Sequence, residues 1–158
     1  DQIDLGALFH DLVARFRVEA AGAGIDLQLA GVPFSPAGFQ SDRRLLETVL
    51  DNPVSNAVRY TPAGGTIRLS ATGGREGIVI AVKDTGIGIA PEHRKRIFER
   101  LYRVDDARDR ASGGSGLGLA LAQRAARAIG GRIEVESELG VGSEFRLVLP
   151  HRRGRDRF

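Results

Sequence analysis

Two stretches of this chain read as β-hairpins, and they constrain the fold more than anything else in it. In the first, "TIRLSAT" (66–72) alternates apolar and polar residues, "GGREG" supplies a turn, and "IVIAVKD" (78–84) follows as an apolar, β-branched run. In the second, "RIEVESE" and "SEFRLVLP" flank "LGVG" near residue 140. Strand, glycine-containing turn, strand is a local signal for antiparallel neighbours. Four strands are therefore paired by turn chemistry alone, and the other segments must cover the sheet they make.

Those other segments are helical. Residues 5, 8, 9, 12, 13 and 16 are apolar, the spacing of a helix with one buried face. "AGAGIDLQLAG" then gives a turn and a short alternating strand through Ile25, Leu27 and Leu29. Residues 32–41, with two prolines and a glycine, read mostly as loop. Ser41 or Asp42 can cap a second helix that runs to about Arg59 and stops at "TPAGG". Pro91 suits the first turn of a short helix over 91–100. The charged stretch 101–114 lacks a sustained period and reads as a mobile loop. "SGLGLALAQRAARAIGG" is a helix over 115–129 with a Gly-Gly stop. Three main helices and about five strands, with hairpins, predict an α+β two-layer sandwich. The domain covers residues 1–150, and "HRRGRDRF" (151–158) forms a basic tail.

Composition narrows the function classes. No apolar run reaches the roughly 18–20 residues needed to span a bilayer. Cysteine is absent, which excludes disulfides and thiolate metal sites and fits a reducing compartment. The net charge is +3, much of it in the tail, and a basic tail can reach nucleic acid or lipid headgroups. Aromatic residues do not interleave with the basic ones as stacking on bases requires, so no nucleic-acid partner is expected.

Three motifs carry possible chemistry. "KDTGIGIAP" (83–91) ends a strand on Asp84 and follows it with Gly86 and Gly88. A carboxylate there can accept from an exocyclic amine such as that of adenine, and glycine lets the backbone approach a flat ligand. The same residues also suit a plain β-turn after an edge strand. "GGSGLGLAL" (113–121) runs glycines into a helix start, where free N–H groups and the helix dipole favour anions. It also reads as a hinge. It is neither a Walker A motif nor a Rossmann fingerprint, because no Lys-Ser/Thr follows it and no parallel strand precedes it. In "VLDNPVSNAVRY" (49–60), Asn52, Asn56, Arg59 and Tyr60 share one helix face. An amide oxygen at the rim of a core can ligate Mg²⁺, and a pair of satisfied surface amides fits the pattern too.

Taken in order, these segments resemble the catalytic, ATP-binding domain of bacterial sensor histidine kinases, within the GHKL ATPase superfamily. "NPVSNAVRYTP" resembles the N box, "DTGIGI" the G1 box, "IFERLYRVD" the F box, "GGSGLGLALA" the G2 box and "ELGVGSEFRLVLP" the G3 segment. The likeness covers roughly residues 3–150. It implies a Bergerat-type sandwich: a mixed sheet of about five strands on three helices, with a mobile ATP lid. It implies Mg²⁺ and ATP as the bound species. Asn56 would coordinate Mg²⁺, Asn52 would line the phosphate side, and Arg59 and Tyr60 would contact phosphate, ribose or base. Asp84 would hold the adenine amine in a pocket shaped by Gly86, Gly88 and Ile89. Gly114, Gly116, Leu117 and Gly118 would form lid hinge and phosphate contacts, with Arg103 near the γ-phosphate. Asn52, Arg59 and Arg103 would be the catalytic residues. One departure is Leu101, where the F box usually has an aromatic residue.

The implied activity is protein-histidine kinase. None of His10, His93 and His151 sits in a phospho-acceptor context: His10 has the neighbouring acid but lacks the downstream Arg and Pro. The expectation is therefore a fragment, whose dimerisation and phospho-acceptor segment precedes residue 1 or belongs to another protein. A response regulator would act downstream, and a cytoplasmic location with a parent anchored in the inner membrane is implied. Two alternatives are a self-contained GHKL ATPase and a degenerate nucleotide-sensing module. ATPase relatives carry a Glu general base four residues before the Mg²⁺ Asn; here that position is Asn52, and an amide cannot take a proton at neutral pH. Asp51 lies about 100° further round an ideal helix. Pro53, inside the same helix, crowds and orphans the carbonyl of Val49 and predicts a local kink between the two asparagines.

Overall fold

The computed structural model describes residues 2–30, 40–74, 77–94, 96–99 and 118–150. Arg103, Gly114, Gly116 and Leu117 lie outside these residues, as do the expected lid, Leu101, and the basic tail.

The described chain runs α1 (Leu5–Gly22), β1 (Asp26–Leu29), α2 (Arg43–Tyr60), β2 (Thr66–Gly74), β3 (Gly77–Asp84), α3 (Pro91–Arg94), α4 (Gly118–Ala128), β4 (Arg132–Glu138) and β5 (Gly142–Pro150). Both hairpins form as expected: β2 pairs antiparallel with β3, and β4 with β5. They join through an antiparallel β3–β5 pairing, and β1 adds in parallel to β2. The sheet is mixed, five-stranded, in the order β1-β2-β3-β5-β4. The α+β sandwich follows, with α1, α2 and α4 as its main helices.

Register explains where the core sits. Side chains alternate faces along a strand. One rung places Ala71, Ile80, Leu147 and Ile133 side by side; the next places Leu69, Val82, Phe145 and Val135. These rows meet Leu5, Leu8, Phe9 and Leu12 of α1, Leu46, Val49, Leu50 and Val54 of α2, and Ala122, Ala125 and Ala126 of α4 in one apolar cluster. The opposite face is polar. There Arg146 of β5 pairs with Glu136 at 3.0 Å and Glu144 at 2.9 Å, which holds the guanidinium more firmly protonated than usual.

Helix ends match local chemistry. Asp4 and Asp42 cap α1 and α2, accepting from the N–H groups of Ala7 and Leu45. Arg15 of α1 grips Asp51 of α2 through two contacts of 2.8 and 2.9 Å. The helix expected over 91–100 is shorter: α3 ends at Arg94, and the His93 carbonyl then accepts from both Arg96 and Ile97. A single turn with no buried side chain has little packing to extend it.

Pro53 is buried inside α2, which continues from Arg43 to Tyr60 without a break. The ring keeps its apolar contact while the Val49 carbonyl loses its usual N–H partner. Replacing Pro53 with alanine restores that donor and gives up ring burial and unfolded-state rigidity. The net expectation is a gain of about 1 kcal/mol in unfolding free energy, read by chemical denaturation. An unchanged or lower midpoint would show that this helix carries the proline at no cost.

Candidate functional site

The same register that builds the core builds the site. One rung beyond Leu69, Val82, Phe145 and Val135, the inward positions are Ile67, Asp84, Ser143 and Ser137. Three polar side chains thus close the end of an apolar stack. Asp84 is 9% exposed and Ser143 8%. Asp84 Oδ1 accepts from the backbone N–H of Gly86 at 2.8 Å and of Ser143 at 3.2 Å. Burial nevertheless pushes its carboxyl above the usual range, with the two N–H bonds acting against that shift. Both bonds end on Oδ1, and Oδ2 carries neither.

The loop after Asp84 is held against its surroundings on two sides. Ile87 N–H donates to the Tyr60 carbonyl at the end of α2. On the other side Gly140 N–H donates to the Ile87 carbonyl at 2.7 Å, and Ile89 N–H donates to Ser137 Oγ at 2.7 Å. Gly88 has φ +73, and a β-carbon there would fall 2.0 Å from the Glu138 carbonyl oxygen. Its glycine therefore serves the packing of the loop onto the β4–β5 turn. Gly86 is open for a different reason: a β-carbon would crowd Asp84 Oδ1 and the Tyr60 carbonyl at 2.8 Å each, and Thr61 Oγ1 at 3.2 Å. Thr61 is buried, and its hydroxyl has no hydrogen-bond partner among the described residues.

The second cluster lies on α2. Asn52 Nδ2 donates to the Thr48 carbonyl at 2.9 Å. Its Oδ1 faces the start of α4, where a β-carbon on Gly118 would come within 2.5 Å. Asn56 Oδ1 accepts from Arg59 Nη1 at 3.3 Å, and the Arg59 guanidinium lies 5.9 Å from the Tyr60 ring centre. So Asn52 meets Gly118, Asn56 meets Arg59, and the Tyr60 backbone joins this helix to the Asp84 loop. The Ile89 side chain packs partly against the core.

Sequence reasoning missed Ser137, Ser143 and Thr61. Phase was the available signal: Ser143 is two residues before Phe145, and Ser137 two after Val135. Among the described residues no group of three or more His, Cys, Asp or Glu side chains could hold a metal. A metal here would depend on amide oxygen, and on oxygens brought by a ligand, as suits Mg²⁺. At Asp84 one carboxylate oxygen lies outside the two backbone bonds, and the Thr61 hydroxyl lies near the same glycine, Gly86.

Residues 41–153 match the histidine kinase-, DNA gyrase B- and HSP90-like ATPase family. The chain belongs to that family. The sensor-like histidine kinase SenX3 of Mycobacterium tuberculosis is 42% identical over 150 residues, covering 94% of this chain and 36% of that protein. The sensor histidine kinase RppB of Synechocystis is 42% identical over 148 residues, 92% of this chain and 32% of that protein. The chain thus spans about a third of such relatives. Full-length ShkA, solved in complex with AMPPNP, superposes with a TM-score of 0.77 at 31% identity, over 95% of this chain and 30% of that one. The mycobacterial sensor histidine kinase MprB shares the fold, with a TM-score of 0.75 at 24% identity over 95% and 96% of the two chains. The sandwich is the Bergerat fold of this ATPase family, and SenX3 and RppB, which match this chain over about a third of their length, are sensor histidine kinases.

Asp84 generates a paired prediction. An acid whose folded pKa is raised binds its proton more tightly folded than unfolded. Its ionised form therefore subtracts stability at neutral pH, and that penalty fades as pH falls through the folded value and below the ordinary carboxylate range. Asp84→Asn keeps an acceptor for the two N–H groups and removes the buried charge. The variant is expected to melt higher than the parent at pH 7, with the gap closing under acid, in thermal scans across pH. Equal gaps at every pH would remove charge burial as the cause.

Proposed function

We propose that this domain binds Mg·ATP and presents the γ-phosphoryl group to a histidine on a separate dimerisation and phospho-acceptor domain. The observation that carries the nucleotide reading is Asp84: a buried carboxylate whose backbone bonds all fall on one oxygen, beside a glycine that clears the approach. It suits the exocyclic amine of adenine. Asn52, Asn56, Arg59 and Tyr60 extend from that end along α2 and suit the sugar and phosphates. Gly118 of α4 lies against Asn52, where a β-carbon would come within 2.5 Å of Oδ1. Arg103, Gly114, Gly116 and Leu117 complete the proposed phosphate side as lid residues. Gly88 and Ile89 hold the base loop in place.

Asn56 Oδ1 is the proposed Mg²⁺ ligand, and the cation, when bound, would neutralise phosphate charge. Asn56 Oδ1 would hold the cation, and Arg59, one helical turn on and at the same oxygen, would supply a second positive charge toward a phosphate. Positioning and charge stabilisation are the main demands of phosphoryl transfer. An acceptor imidazole nitrogen forms the new bond to the γ-phosphorus as the bond to the bridging oxygen breaks, and ADP leaves.

Transfer is favoured over hydrolysis by the arrangement around Asn52. An amide there cannot activate water, and the neighbouring Asp51 is turned to α1 and paired with Arg15. The proposed partners are the phospho-acceptor domain of the same kinase and a response regulator. The proposed location is cytoplasmic, in a parent anchored to the inner membrane. Among the described residues no helix is long and apolar enough to cross a membrane.

Mixing the domain with its phospho-acceptor segment and labelled ATP is expected to give acid-labile, base-stable label on histidine. Label released only as inorganic phosphate would identify an ATPase instead. Asn56→Ala is expected to weaken nucleotide binding about tenfold with Mg²⁺ present, the size of one lost ligand bond, and little in EDTA. Equal loss in both, by calorimetry, would remove the metal assignment.

A further inference from the structure

The rung that holds Asp84 contains a hydroxyl relay. Ser137 Oγ has three polar neighbours: Ile89 N at 2.7 Å, the Gly142 carbonyl at 3.0 Å and Ser143 Oγ at 2.7 Å. A serine hydroxyl has one hydrogen and two lone pairs. The Ile89 N–H takes one lone pair. The Gly142 carbonyl can only accept, so satisfying that contact requires the Ser137 hydrogen. What remains on Ser137 is a lone pair, and the Ser143 hydroxyl must donate to it. This is the arrangement that satisfies all three contacts. Partly buried polar groups settle on such arrangements because each contact left unmade carries a desolvation penalty.

The consequence falls on Ser143. With its hydrogen committed to Ser137, the Ser143 hydroxyl offers lone pairs elsewhere. Its own N–H is bonded to Asp84 Oδ1, and Ser143 pairs with Asp84 on one rung, so the two side chains share a face of the sheet and the hydroxyl is a second acceptor beside the carboxylate. Two acceptors together suit an exocyclic amine, which has two N–H groups, and reject a carbonyl at the same place.

We propose that Ser137 is a positioning residue that fixes the direction of the Ser143 hydroxyl and so sets the preference of the base pocket for an amino-purine over an oxo-purine. This rests on the nucleotide reading of Asp84. Without Ser137 the Ser143 hydrogen is released and can turn to donate to a carbonyl. Ser137 also ties down Ile89, and a purely structural role in that tie would weaken every nucleotide alike. The ratio between nucleotides separates the two roles.

The experiment measures Mg·ATP and Mg·GTP affinity of the 158-residue chain by calorimetry, for the parent, Ser137→Ala, Ser137→Thr, Ser143→Ala and the double alanine variant. Ser137→Ala is expected to narrow the ATP over GTP preference about tenfold, the worth of one directional hydrogen bond. Ser137→Thr keeps a hydroxyl and is expected to restore it. Ser143→Ala is expected to narrow the preference as well, with the double variant no worse than the single ones, as coupled groups behave. Equal loss of ATP and GTP in Ser137→Ala overturns the proposal, as does an unchanged ratio. Should Ser137→Ala fail to fold, Ser143→Ala decides, and an unchanged ratio there overturns the proposal too. A parent that binds ATP no better than GTP, or an Asp84→Ala variant that binds ATP as well as the parent, would instead overturn the nucleotide reading beneath it.

Discussion

The structure depends on one constraint: strand register does not stop where the apolar residues stop. Ile80 and Val82 place alternate β3 side chains on the inward face, and Asp84 keeps that phase. It therefore enters the core layer whether or not a carboxylate is welcome there. The fold accommodates it by supplying two backbone N–H donors and two in-register serines. Close approach of the neighbouring chain makes this possible. Gly142 has φ +145, and a β-carbon there would sit 2.1 Å from the Asp84 carbonyl oxygen. A larger residue would push β5 away from β3 at the end where Ser143 must reach Asp84. Glycine at the start of β5 is thus a condition for the polar rung. The carboxylate remains raised in pKa, so the site holds an acceptor at a cost in stability, a common property of binding sites.

Much of the architecture was legible because it rests on local signals. Alternation and turn glycines specify both hairpins, and Asp42 before an apolar-periodic run specifies the start of α2. Pairings that depend on distant parts of the chain were not legible. Nothing in "DLQL" says that β1 runs parallel beside β2, and nothing in the second hairpin says that β5 lies against β3. The short helix after Pro91 was read too long because a proline marks a first turn and says nothing of where the helix stops, whereas persistence depends on burial, and α3 buries no side chain. In the site, Asp84, Asn52 and Asn56 were legible as motif residues. Ser137 and Ser143 were not, because a serine in a strand is ordinary until register places it beside a buried carboxylate.

The α2 helix shows how the second half of the site divides its labour. Successive residues point about 100° apart, so Asp51 and Asn52 face different neighbours. Asp51 turns to α1 and holds Arg15, part of the contact that fixes α2 against its neighbour. Asn52 faces the start of α4. A half-exposed ion pair of this kind adds modest stability, and its larger effect is directional: the one carboxylate adjacent to Asn52 in sequence is committed elsewhere. The polar face that remains, Asn52, Asn56, Arg59 and Tyr60, contains amides, a cation and a phenol, and none of these is a base at neutral pH. Such a surface can hold and orient a phosphorylated ligand, and it lacks the group that would pull a proton from water. The proline between the asparagines leaves this division intact. A helix that continues through Pro53 keeps Asn52 and Asn56 four residues apart on one face, and that spacing, more than the strength of the helix, is what the proposed phosphate and metal contacts would require.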